Sequence, residues 1–150
     1  MLSPRFGTPP NGASRCAVVK SRQGKCVARV LIVDDDLGVV HAFGRMLRLE
    51  GYEVMTALDA EAALRKVETS HPDAVLLDLR MPLTDGLAFL RRLRARPEQR
   101  HTAVAIVTAD YFVDEATTRE LRALEADLYY KPVWLEDLVG ITRRLIHRTR

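Results

Sequence analysis

The sequence predicts an α/β fold in which a parallel sheet is covered by helices on both faces, a doubly wound arrangement. Two observations carry this expectation. From residue 28 onward five short apolar runs alternate with five amphipathic stretches, the signature of successive βαβ units. The runs are also continuously apolar, as strands buried on both faces are. No internal repeat accompanies them.

The first run, 28–33, is β-branched and ends in Asp34, Asp35 and Asp36. Val40, Phe43 and Leu47 then share one helical face, and Gly51 is a suitable residue to end that helix. The second run is 52–57. Asp59 is a fitting N-cap for a helix carrying Ala60, Ala63, Leu64 and Val67 on one side. The third run, 74–77, leads into Asp78, and Leu87, Leu90 and Leu93 form the next stripe behind Asp85 and Gly86. The fourth run, 103–107, ends at Thr108, followed by a weaker stripe of Ala116, Leu121 and Leu124. The fifth, 128–130, runs into Lys131 and Pro132, and Leu135, Leu138, Val139, Thr142, Leu145 and Ile146 form the last stripe.

A chain of 150 residues suits one domain with an ordinary core. Residues 28–150 are expected to form it. Residues 1–27, rich in Ser, Pro, Gly and basic types, are expected to be a disordered basic leader. The formal net charge of +3 divides unevenly: the first 28 residues carry five basic side chains and no acid, and the remainder is weakly acidic. The pI therefore does not mark a basic domain, and nucleic acid is not an expected partner of the fold itself. No apolar run approaches the roughly 20 residues that span a bilayer, and the start lacks a signal-peptide core, so a cytoplasmic protein without membrane contact is expected. Cys16 and Cys26 are read as reduced thiols in such a compartment.

The ends of strands one, three, four and five concentrate the chemistry. In a parallel α/β sheet, ligands bind beyond the carboxyl ends of the strands. Asp34, Asp35 and Asp36, then Asp78, Thr108 and Lys131, all fall there. Each has a plainer reading: the aspartates as helix caps, Thr108 as one more β-branched strand residue, Lys131 as a solvated cation. Their joint placement on one rim favours a site. Clustered carboxylates raise one another's pKa unless a cation joins them, and a hard divalent ion such as Mg²⁺ (or Mn²⁺) suits oxygen ligands and phosphate. Asp78 is then placed as the nucleophile toward phosphorus, with Lys131 and Thr108 contacting the transferring group.

These segments resemble the response-regulator receiver family: 30–36, then the Asp-x-x-Met-Pro-x-x-Asp-Gly stretch from Asp78 to Gly86, then 106–109 and 130–132. The resemblance runs from about residue 28 to the end. It implies a flavodoxin-like sheet of five parallel strands in order 2-1-3-4-5, with five helices. It implies Mg²⁺ held by Asp34, Asp35, Asp78 and the carbonyl of Arg80, with Asp78 the phosphoacceptor assisted by Thr108 and Lys131. It further implies a sensor histidine kinase or phosphotransfer protein as donor and a downstream protein as target, with no enzymatic activity beyond the chain's own phosphorylation and dephosphorylation. After Lys131 about one helix remains, so a stand-alone receiver that signals by contact is expected. Two competing readings are a phosphohydrolase, disfavoured by Arg80 where a second acid would stand, and a DNA-contacting regulator acting through the leader. The family's usual aromatic three residues before the lysine is Leu128 here, with Tyr129 and Tyr130 beside it. Arg80 and Asp110, each two residues past a site residue, are expected to pair across the site and slow hydrolysis of the acyl phosphate.

Overall fold

The computed structural model describes Gly24 and residues 26–149. The expected leader falls mostly outside these residues. Within them, Cys26 is disulfide-bonded rather than a reduced thiol; Cys16 lies outside the described residues.

Five strands and five α-helices alternate: β1 (Arg29–Val33), α1 (Leu37–Leu49), β2 (Glu53–Ala57), α2 (Ala60–Ser70), β3 (Ala74–Leu77), α3 (Gly86–Arg94), β4 (Ala103–Thr108), α4 (Glu115–Ala123), β5 (Ala126–Tyr130) and α5 (Leu135–Thr149). A short 3₁₀ turn, Pro97–Gln99, precedes β4. All pairings are parallel and the order is β2-β1-β3-β4-β5.

Alternation along the strands divides the core into two layers. Leu31, Val33, Val75, Leu77, Val104 and Ile106 pack with Phe89, Leu90 and Leu93 of α3 and Leu64 and Val67 of α2. Val30, Ile32, Ala74, Leu76, Ala105 and Val107 pack with Val40, Phe43 and Leu47 of α1 and Leu138, Ile141 and Leu145 of α5. Each fully buried Val, Leu or Ile contributes about 1.5–3 kcal/mol, so a sheet apolar on both faces needs both helical layers. Leu135 and Ala116, expected on inward stripes, are exposed instead, because each lies at the start of its helix, beyond the sheet's cover.

The starts of α1 to α4 are capped by aspartate. Asp36, Asp59, Asp85 and Asp114 each accept backbone N–H bonds from the first turn of the helix that follows. Gly51 ends α1 at φ +92°, with its amide on the Arg48 carbonyl at 3.0 Å. Among the described residues no helix is long and apolar enough to cross a membrane.

Candidate functional site: a carboxylate cluster at the strand tips

The sheet positions the site by continuing its own ladder. The amide of Asp34 donates to Ala57 O at 3.1 Å, that of Asp78 to Val33 O at 2.8 Å, and that of Lys131 to Thr108 O at 2.8 Å. Each of these residues sits one rung past its strand. Because Val33 pairs with Leu77, Asp34 and Asp78 stand on adjacent tips, one strand spacing of about 4.8 Å apart.

The three aspartates after β1 separate in role. Asp36 turns to its helix, accepting from Gly38 N at 2.8 Å. Asp34 is buried, and its Oδ1 accepts the Asp36 amide at 2.9 Å, which fixes the carboxylate plane. Asp35 stays exposed. One carboxylate oxygen from each of Asp34, Asp35 and Asp78 lies within 4.8 Å of the others. Lys131 Nζ donates to Asp34 Oδ2 at 2.6 Å and stands 3.8 Å from Asp78 Oδ2. The Lys131–Pro132 bond is cis.

Burial pushes the Asp78 carboxyl above the usual carboxylate range; Lys131 opposes this and Asp34 reinforces it. One ammonium among three carboxylates leaves net negative charge in a partly desolvated crevice. Oxygen donors in that spacing and charge state fit a hard divalent cation, which relieves the repulsion.

The loop after β3 is anchored from below by Leu79 and Met81 in the core. The Arg80 amide approaches Asp78 Oδ1 at 3.4 Å, while its side chain crosses to Asp110, Nε to Oδ2 at 2.6 Å. The expected pairing of Arg80 with Asp110 is therefore present. Thr108 is fully buried and its hydroxyl accepts the Asp110 amide at 3.1 Å. Gly86 packs against the Asp78 backbone and donates to Leu79 O at 2.8 Å.

Sequence reasoning did not find Tyr111. Its hydroxyl donates to the Lys131 carbonyl and its ring stacks on Tyr130, with centroids 5.8 Å apart and planes 13° apart. No spacing rule links residues 111 and 130; only the closure of β4 on β5 does.

The model of the response regulator receiver domain matches residues 30–143. The chain belongs to this family. It is 39% identical over 120 residues to the transcriptional regulatory protein PrrA of Mycobacterium leprae, covering 80% of this chain and 50% of that protein. It is 38% identical over 121 residues to the response regulator MprA of Mycolicibacterium vanbaalenii, covering 81% and 51%. This receiver thus spans about half the length of these curated relatives. Among solved structures it is similar to the chemotaxis protein CheY4 of Vibrio cholerae, with a TM-score of 0.73, 28% identity, and coverage of 79% of this chain and 98% of that one. A CheY-like receiver of Methanospirillum hungatei gives a TM-score of 0.73 at 28% identity, covering 81% and 96%. The fold is that of these receivers, and the chain is a receiver domain of a two-component response regulator.

Proposed function

We propose that this receiver accepts a phosphoryl group on Asp78 from a histidine kinase or a phosphotransfer protein and passes the signal on by protein–protein contact through α4, β5 and α5. The observation that carries the reading is the buried Asp78 carboxylate grouped with Asp34 and Asp35 oxygens, with the Lys131 ammonium 3.8 Å from Asp78 Oδ2. Asp34, Asp35, Asp78 and the Arg80 carbonyl are the groups that would hold Mg²⁺ or Mn²⁺; when bound, the ion neutralises charge on the transferring phosphoryl oxygens.

An Asp78 oxygen attacks phosphorus as the bond from phosphorus to the donor's imidazole nitrogen breaks, and the imidazole leaves with that electron pair. Lys131 supplies positive charge to one phosphoryl oxygen, and the Thr108 hydroxyl, with its own proton free to donate, serves another. Hydrolysis later restores the carboxylate, so turnover is limited to the chain's own acyl phosphate. The added group brings roughly −1.5 to −2 charges to the rim, enough to bias a two-state element.

The test is incubation of the chain with Mg²⁺ and acetyl phosphate, followed by intact mass and peptide mapping of wild type and Asp78→Asn. One phosphoryl group on Asp78, absent from the variant, is expected. Modification at another residue overturns the assignment.

A further inference from the structure

Cys26 lies before β1, at the end of the sheet opposite the carboxylate rim, and the phosphoacceptor chemistry makes no use of it. It is exposed and disulfide-bonded. The sequence holds one other cysteine, Cys16, outside the described residues, so within a single chain the bond joins these two. Two features set this bond apart from one that staples a fold. The first is its position. Ala28, two residues on, is buried in one core layer with Ile146 of α5, and its carbonyl accepts the Glu53 amide at 3.0 Å. From Ala28 onward, burial and sheet pairing therefore anchor the chain without help from the bond. An exposed disulfide that the core does not need belongs to the labile, exchangeable class.

The second feature is what surrounds the sulfur. Cys26 lines a cleft of about 360 Å³ with Glu50 and Tyr52, from the turn between α1 and β2, and with Arg143, Ile146 and His147 of α5. Arg143 and His147 stand one helical turn apart on α5. Arg143 brings a positive charge and His147 a ring nitrogen able to donate, and both favour a thiolate over a thiol; Glu50 works against them. When a disulfide is split, the sulfur better held as a thiolate leaves faster. The bond is thus biased toward attack at Cys16, with Cys26 as the leaving group.

We propose that the Cys16–Cys26 disulfide is a reversible redox clasp that a dithiol opens, releasing Cys26 as a thiolate into the cleft beside α5. One thiolate of the dithiol attacks the Cys16 sulfur; a mixed disulfide forms, the Cys16–Cys26 bond breaks, and its electron pair leaves on Cys26. The second thiolate of the dithiol then attacks its own partner sulfur, and the electron pair of the mixed disulfide leaves on Cys16. The dithiol departs as a disulfide, two electrons poorer, and its two protons pass through solvent to the two cysteines. The proposal is independent of the reading of Asp78.

Timed treatment of the full chain with dithiothreitol, quenched with iodoacetamide and read by intact mass, tests it in native buffer and in urea, after non-reducing peptide mapping has located the bond. One Cys16–Cys26 link within the chain is expected, opening in native buffer within roughly ten-fold of its rate in urea, as an accessible bond should. The reduced chain is expected to keep the far-ultraviolet circular dichroism of the oxidised one. Arg143→Gln combined with His147→Gln is expected to slow native opening roughly two- to five-fold, the worth of a screened charge and an exposed donor, and to leave the rate in urea unchanged. Absence of the bond in protein prepared without reductant, or a bond between two chains, overturns the clasp. Native opening slower than in urea by more than that ten-fold marks a structural bond and overturns it too, as does loss of helical signal on reduction. Wild-type opening in the double variant overturns the assignment of Cys26 as the leaving sulfur.

Discussion

Consider Gly86→Ala, a change that adds one methyl group and touches no side chain of the site. A Cβ at this position would stand 2.3 Å from the Asp78 carbonyl oxygen, 3.0 Å from Leu79 Cα and 3.2 Å from the Asp78 carbonyl carbon. The first distance is about 1 Å inside ordinary van der Waals contact. All three neighbours are backbone, so no flexible side chain can swing away. Either α3 retreats from the sheet or the strand tip carrying Asp78 moves. Overpacking of this kind costs roughly 1–3 kcal/mol, which lowers Tm by about 3–10 °C in a chain of this size. A displacement of about 1 Å at a reacting atom costs on the order of 10²-fold in rate. Phosphorylation of Asp78 by acetyl phosphate, followed by intact mass against time, reads the rate, and calorimetry reads Tm. Gly140→Ala is the control, because a Cβ there meets nothing within 4 Å. Placed in a helix interior, it is expected to stabilise by roughly 0.5–1 kcal/mol and leave labelling unchanged. Wild-type labelling and Tm in Gly86→Ala would refute the claim that this glycine sets the position of the acceptor.

Arg80→Ala is expected to speed loss of the phosphoryl group roughly two- to five-fold, the worth of a half-exposed ion pair, measured by the decay of the labelled mass after donor removal; an unchanged decay would remove Arg80 as a guard of the acyl phosphate. Burial raises the Asp78 pKa, so the folded state favours the protonated form, and the stability that form contributes is lost as pH rises through the raised value. Asp78→Asn is therefore expected to raise the Tm of metal-free protein at neutral pH, with the gain shrinking as pH falls through that value. Mg²⁺ should raise the Tm of wild type at neutral pH more than that of Asp78→Asn, and equal shifts would count against metal binding at this cluster. Lys131→Met leaves the buried Asp34 carboxylate without its 2.6 Å partner, and metal-free protein is expected to lose about 3 kcal/mol, read by urea unfolding.

The parallel α/β class and the rim were legible because they rest on short-range pattern, whereas the strand order came only from the family resemblance. Continuous apolar runs such as 74–77 occur where both faces are covered, and the polar residue that ends each run must lie at a strand tip. Residue pattern left the three aspartates after β1 undivided, and only the family resemblance singled out Asp34 and Asp35. The structure separates Asp36, spent on Gly38 and Val39, from Asp34 and Asp35. That division depends on where α1 begins, which periodicity locates only within a residue or two. The bounds of β5 were short by two residues, because Asp127 interrupts an otherwise apolar run and yet pairs with Ala105 in the ladder. The disulfide at Cys26 was missed because compartment statistics, not geometry, supported the reading of a thiol. The Tyr111–Tyr130 contact joins residues whose partnership arises only from tertiary closure, and the buried Gln99, bonded to His71 and Thr102, is hidden for the same reason.

Asp34, Asp78 and Lys131 each donate a backbone N–H hydrogen bond to a carbonyl of a neighbouring strand. The arrangement of charges therefore inherits its accuracy from strand pairing and needs no scaffold of its own. A chain whose sheet had slipped by one residue would turn these side chains to opposite faces and offer a cation no common focus. On the proposed reading, cation affinity would double as a certificate of correct assembly, and a misregistered molecule would hold no ion at these strand tips.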